Sequence, residues 1–546
     1  MSRSPGGDPR PEQILARMSL AEKVGQLLVC EIYGTDPDRP HPGNLDHFGT
    51  AAAARVIEEL HLGGVVYFRW TDSFADGPEQ LARLSNRLQA AATGSGAGVG
   101  LMIATDQEQG PSSRFGRPAT PFPGAMPLGA IGDLDAARAA AAVTGRELAA
   151  VGITTDLAPD ADVNVNPANP VIGVRSFGAD PARVAEMVVA QVEGYQQDAG
   201  VSACAKHFPG HGDTATDSHT GLPVIDHSQQ EWQHTDLPPF EAAVAAEVDM
   251  VMTAHIRFPA LEPSGEPATL SRAVLTDLLR TRLGFQGVII TDSLEMAGVR
   301  QSHSDREVPV MALAAGADLI LMPPDPRGAR DAIVEAVESG RIDPRQIDAK
   351  VLRVLRMKAR RGMLDPVPVD PETVRQTVGT PQHLDLAADL ARRAITLVHR
   401  GRVALPVDLA GRRVHVCGWR PPEHDLVSSL GDALEVAGAT PVARVDRADL
   451  VVCLTHDVAA GSDQARLVAD LARACPAVLT VSVGTPYDLW ELPAEVTQLA
   501  AYSSAETVPA AVVKVLTDDR PPCGMSPVDL SVWHNHHQVT GHRPNL

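Results

Sequence analysis

VSACAKHFPGHGDTATDSH, residues 201–219, starts as a short apolar run and breaks into a polar loop. Val201 to Ala205 is nearly continuously apolar, the character of a strand buried on both faces of a parallel sheet. The segment that follows, KHFPGHGDTATDSH (206–219), holds three His, two Asp, one Lys, two Gly and a Pro. Turn formers and chemically active side chains just past a strand's C-terminal end mark a loop that carries function.

The same unit recurs on either side. QLLVCEI (26–32), GGVVYF (63–68), GLMIATD (100–106), GITTDLAP (152–159), VSACAKHF (201–208), MVMTAHI (250–256), GVIITDS (287–293) and ADLILMP (317–323) are eight short apolar runs. Helical patterns such as DLDAARAAAAVTGRELAAV (133–151) and SRAVLTDLLRTRLGF (271–285) separate them. Eight strand–helix units predict a (β/α)8 barrel. The competing open doubly wound sheet lacks its Gly-rich phosphate loop after the first strand. Asp106, Asp156, Lys206 with His207, His255 and Asp292 all fall at or beyond predicted strand C-termini, the ends that converge on the active face of a barrel.

Residues 11–25 read as one amphipathic helix leading into the first strand, and the barrel is assigned to 11–364. The Pro-rich DPVPVDPETV opens a linker over 365–384. Six further apolar runs, from AITLVH (394–399) to QLAAYS (498–503), predict a smaller α/β unit, an αβα sandwich over 385–520. The Pro- and His-bearing tail, 521–546, has no periodicity and reads as a flexible or partner-packed extension.

The net charge of −21 over 546 residues argues against nucleic acid or an anionic membrane as partner. No apolar run reaches the roughly 18 residues of a membrane span. The six Cys are widely spaced without a CxxC pair, at least four of them in apolar runs. This fits buried thiols in a reducing, cytoplasmic compartment.

Three chemistries can be laid over 206–219. Metal-assisted hydrolysis would use His207, His211, Asp213 and His219, although their spacing matches no standard ligand motif. Acid/base work would fall to His219, oriented by Asp217, with Asp292 across the mouth as a carboxylate nucleophile; Asp292 reads equally as a strand-end cap. Lys206 could form a Schiff base, though beside His207 it is more naturally a charged donor to a ligand. No metal or cofactor is expected.

KHFPGHGDTATDSH, together with TDSLEMAGV (291–299), TDQEQGPSSRFG (105–116), VRSFG (174–178) and RVLRMKARRGML (353–364), resembles glycoside hydrolase family 3, in its β-N-acetylhexosaminidase branch. The resemblance implies hydrolysis of terminal β-linked N-acetylglucosaminides with retention. Asp292 would be the nucleophile and His219 the acid/base held by Asp217. Asp106, Arg114, Arg175, Lys206 and His207 would bind the sugar. It also implies a role in cell-wall recycling and leaves phosphorolysis, substrate assistance and a silent sugar-binding protein as alternatives. Two features depart from the family pattern or from typical loop lengths. Gln109 and Pro111 stand in the loop that places Arg114, and YGTDPDRPHPGNLDHFGT (33–50) is longer than a usual βα loop of about 2–6 residues. Gly210 and Gly212, flanking His211, suggest a loop shaped for close backbone approach, and with Pro209 they read as the hinge of the loop that delivers His219.

Overall fold

The computed structural model describes residues 8–218, 221–421 and 424–530. Its first unit is built on eight parallel strands: β1 (Leu28–Glu31), β2 (Gly64–Val66), β3 (Met102–Thr105), β4 (Thr155–Asp156), β5 (Ser202–Phe208), β6 (Met250–Thr253), β7 (Val288–Ile290) and β8 (Ile320–Leu321). Their order is β7-β6-β5-β4-β3-β2-β1-β8. A parallel bridge between Ile290 and Leu319 joins the two ends, with the Thr291 N–H donating to the Leu319 carbonyl at 3.0 Å. Every strand residue is buried, because side chains alternate between the barrel interior and the helical layer and both are dry.

The expected helix over 11–25 is two helices, Arg10–Leu15 and Leu20–Gly25. Ser19 starts the second with a reciprocal capping box to Glu22, a local hydrogen-bonding option that competes with continuing the first. The basic helix Pro344–Arg360 turns its lysines inward. Lys350 donates to the Ala317 carbonyl at 2.8 Å and Lys358 to the Gly100 carbonyl at 2.9 Å. Burial pushes their pKa values down to about 8 and about 7.

The second unit holds β9 (Thr396–His399), β10 (Arg413–Gly418), β11 (Thr440–Pro441), β12 (Leu450–Thr455), β13 (Val478–Ser482) and β14 (Thr497–Ala500). They are ordered β11-β10-β12-β13-β14-β9, with only β9 antiparallel. The period-2 alternation of β12 separates two cores. Val452 and Leu454 pack with helices Leu426–Val436 and Val508–Thr517, whereas Val451 and Cys453 pack with helix Asp463–Ala474. The unit is therefore an αβα sandwich.

The described part of the tail packs within the molecule. Met525 N donates to the Ala130 carbonyl at 3.0 Å, Gly524 N to the Ile395 carbonyl at 3.2 Å, and the Pro527 carbonyl accepts from Ala179 N at 3.0 Å. Val528 joins Met126, Ala130, Ala500 and Tyr502 in one apolar cluster, so this segment stitches the barrel to the second sheet. The tail histidines, His534, His536, His537 and His542, lie outside the described residues. Among the described residues no helix is long and apolar enough to cross a membrane.

Candidate active site

The C-terminal ends of the barrel strands surround a cavity of about 530 Å³. Asp106, Arg114, Arg175, Lys206, His207, Asp217 and Asp292 all line it. Of the candidate catalytic and sugar-binding residues, His219 alone lies outside the described residues. Adjacent strand residues normally face opposite ways, yet Lys206 and His207 both reach the cavity. The pairing of β5 with β6 shifts register between Ala205 and Phe208, and such irregularities re-aim side chains at strand ends.

Lys206 is fully enclosed and held by two carboxylates, Asp106 and Glu108, each at 2.7 Å. Glu108 also takes a two-pronged contact from Arg175, with Nε–Oε2 at 2.8 Å and Nη2–Oε1 at 2.9 Å. Two cations and two carboxylates thus balance in the wall. Burial disfavours the charged form of Glu108, but Arg175 and Lys206 outweigh it and hold its carboxyl well below the usual range. Glu108 was missed in the sequence, although it sits two residues past Asp106 in the same loop.

His207 is oriented by a second residue that the sequence reading passed over. Its Nδ1 lies 2.7 Å from Asp162 Oδ2, and Asp162 Oδ1 accepts from His211 N at 2.6 Å. His211 is buried with Nε2 3.0 Å from Ser218 Oγ and Nδ1 3.1 Å from Thr214 Oγ1. Burial depresses its pKa to about 4, so it is a neutral strut. Asp213 instead pairs with His227 at 2.8 Å, which also contacts Asp236 at 2.8 Å. Among the described residues, His207 and His211 thus share Asp162, while Asp213 is held apart from them by His227.

The loop shows the close backbone approach expected of its glycines. A Cβ on Gly212 would stand 1.8 Å from the Val163 carbonyl oxygen, and one on Gly210, at φ +126°, would stand 2.6 Å from Asp236 Cβ. These glycines allow close backbone approach. Trp232 Nε1 donates to the Pro209 carbonyl at 2.9 Å, fixing the loop from below.

Asp292 follows β7, with Oδ1 accepting from Ser293 N at 2.7 Å. Burial pushes its pKa up, but His207, His255, the Ser293 N–H and Lys206 together hold it below the ordinary carboxylate value. It is ionised at neutral pH. His255 supports it from behind, with Nε2 2.9 Å from the Ser293 carbonyl and Nδ1 2.8 Å from Thr269 Oγ1. Asp156 likewise serves the scaffold: Oδ1 accepts from Gln107 N at 2.8 Å.

The altered loop still delivers Arg114. Gln109 and Gly110 turn the chain at φ 71° and 58°, and Gln107 Oε1 accepts from Arg114 N at 2.7 Å and Phe115 N at 2.9 Å. The guanidinium lies 5.6 Å from the Phe68 ring and 5.7 Å from the Trp70 ring. Those rings stack at 4.0 Å. Trp70 is 55% exposed, an open aromatic face on the rim.

The matched family model is that of the glycosyl hydrolase family 3 N-terminal domain, over residues 19–357. Beta-hexosaminidase A of Pseudoalteromonas piscicida is 37% identical over 407 residues, 70% of this chain and 66% of that protein, just under two thirds. The beta-N-acetylglucosaminidase/beta-glucosidase of Cellulomonas fimi is 31% identical over 96% of both chains. A family 3 beta-N-acetylglucosaminidase from Paenibacillus sp. str. FPU-7 superposes with a TM-score of 0.85 at 36% identity, covering 94% of this chain and 99% of that one. The beta-glucoside phosphorylase BglX bound to 2FGlc gives 0.83 at 25% identity, covering 95% and 96%. The barrel, its cavity and these matches converge: the chain belongs to glycosyl hydrolase family 3 and is a glycoside hydrolase.

Proposed function

We propose that the protein removes terminal, non-reducing β-linked N-acetylglucosamine by double displacement. The observation that carries this reading is an ionised Asp292 in the same cavity as the balanced Lys206–Asp106–Glu108–Arg175 wall. Asp292 attacks the anomeric carbon as the bond to the aglycone oxygen breaks, and His219 gives that oxygen a proton. Water then attacks the glycosyl-Asp292 ester from the vacated side and gives a proton back to His219. Two inversions retain configuration. Asp217, on the cavity wall beside His219 in sequence, orients the imidazole. Asp106 accepts from sugar hydroxyls, while Arg114, Arg175, Lys206 and His207 donate to hydroxyl and acetamido oxygens. The names of the Pseudoalteromonas and Paenibacillus relatives support the N-acetylhexosaminide substrate. The reading extends to cytoplasmic recycling of cell-wall amino sugars, supported by six unpaired thiols, four of them buried.

Asp292→Ala is expected to abolish turnover of a chromogenic N-acetylglucosaminide; near-normal activity rejects the assignment. Phosphorolysis is the second reading. It is favoured by Arg114, whose buried Nε has no hydrogen-bond partner among the described residues and could meet an anion, and by the likeness to BglX. Sugar 1-phosphate formed when phosphate is added identifies that reaction, and free N-acetylglucosamine at an unchanged rate excludes it.

A further inference from the structure

The long loop after β1 brings a second constellation to the opposite side of the mouth. Glu31, the last residue of β1, is 4% exposed. It meets Glu295, which lies three residues past Asp292 and lines the cavity. His47 comes from helix Pro42–Phe48 within the loop. One ligand atom from each of Glu31, His47 and Glu295 lies within 4.8 Å of the other two. His47 Nδ1 is 3.7 Å from Glu31 Oε1, too long for a hydrogen bond. It is close to the roughly 3.4 Å edge of a tetrahedron with metal bonds of about 2.0–2.1 Å.

The imidazole is set for that geometry. His47 Nε2 is 3.0 Å from the Tyr33 hydroxyl, so a proton on Nε2 leaves the Nδ1 lone pair facing the carboxylates. Metal-bound histidines are normally fixed through the other ring nitrogen in this manner. Tyr33 is itself held on both sides. It stacks on His47 at 5.3 Å and on His41 at 5.6 Å. Asn44 closes the loop by accepting from Tyr33 N and donating to the Tyr33 carbonyl, each at 2.9 Å.

We propose that Glu31, His47 and Glu295 form a divalent transition-metal site. One nitrogen and two carboxylates suit Zn²⁺ or Mn²⁺ better than the all-oxygen preference of Ca²⁺ or Mg²⁺. Two carboxylates also neutralise the ion in a partly dry setting. The site ties β1 and the 33–50 loop to the segment after β7 that carries Asp292. It does so across β8, which contributes only two strand residues. This gives the long loop a task at the cavity wall, beside Glu295.

The test is calorimetric titration of chelator-treated full-length protein with Zn²⁺, with Co²⁺ absorption as an independent readout. Because the tail carries histidines, the parent for comparison has His534, His536, His537 and His542 replaced by Ala. The expected result is one equivalent of Zn²⁺ in that parent. Binding should weaken at least tenfold in Glu31→Gln and in His47→Ala, and about tenfold in Tyr33→Phe, which keeps the packing and removes the orienting hydroxyl. Melting curves establish that each variant is folded. No binding in the tail-substituted parent, or undiminished binding in folded Glu31→Gln and Tyr33→Phe, overturns the proposal.

Discussion

Replacing Glu108 by Gln preserves the side chain's size and removes one negative charge from between Lys206 and Arg175. In the parent, Glu108 Oε1 accepts from Lys206 at 2.7 Å and from Arg175 Nη2 at 2.9 Å, while Oε2 accepts from Arg175 Nε at 2.8 Å. A Gln amide keeps one acceptor oxygen and sets its NH₂ against a cationic donor. One-sided loss of a buried charge partner costs about 3–5 kcal/mol. Lys206 retains Asp106 at 2.7 Å, and Arg175 keeps Asp160 at 3.7 Å, so the low end, about 3 kcal/mol, applies. This predicts a fold about 3 kcal/mol less stable at neutral pH, and a lower kcat/KM because Lys206 and Arg175 line the cavity. Rates on a chromogenic N-acetylglucosaminide at pH 7, with a melting curve of each protein, measure it. Because the folded pKa of Glu108 is depressed, its stabilisation is present above the ordinary value of 4.5 and is lost as pH falls through the folded value. The two proteins should therefore approach each other in stability in acid. An E108Q enzyme within threefold of the parent, with an unchanged melting temperature, refutes the role given to this wall.

His227 has its pKa raised to about 10 by Asp213 and Asp236. Its stabilisation is complete below the ordinary value of 6.5 and is lost as pH rises through about 10, so the parent should lose more melting temperature between pH 7 and 10 than His227→Gln does. Gly212→Ala forces backbone apart at Val163 and should cost about 1–3 kcal/mol and most activity. Gly431→Ala, in helix Leu426–Val436 with nothing within 4 Å of the added Cβ, should instead stabilise by about 0.5–1 kcal/mol in thermal melts. Trp70→Ala removes the open aromatic face and should raise KM for an oligosaccharide about tenfold, roughly 1.4 kcal/mol, with little change for a small aryl glycoside; equal effects on both substrates contradict a rim subsite.

The barrel was legible because its strands are dry on both sides. Runs such as GVIITDS and MVMTAHI announce themselves without tertiary information, and strand-end polarity then located the mouth. The second unit was legible mainly through β12, β13 and β14, which are buried throughout, whereas β11 is exposed and β10 largely half-buried. The break at Ser19 was not, because a capping box competes with an amphipathic pattern that runs straight through it. Of the residues lining the cavity, Asp106, Arg114, Arg175, Lys206, His207, Asp217 and Asp292 were found, whereas Glu108, Glu295 and Trp70 were missed, as was Asp162, which holds His207. Glu108, Asp162 and Glu31 act through contacts with residues 98, 45 and 264 positions away (Lys206, His207 and Glu295), and no local period reports such a pairing. The glycines of 206–219 showed that the backbone there is unusual. Whether they permit motion or close packing depends on Val163 and Asp236, which arrive from other elements.

The central claim is that Asp292 carries the sugar. Incubation with a 2-deoxy-2-fluoroglycosyl fluoride lets the Asp292 carboxylate form an ester at the anomeric carbon as fluoride leaves, and the 2-fluoro group slows its hydrolysis. Intact-mass measurement followed by peptide mapping is predicted to show one fluoroglycosyl adduct on the peptide containing Asp292, absent from Asp292→Asn. An adduct on another residue, or an active enzyme that turns over N-acetylglucosaminides and never forms one, would contradict it.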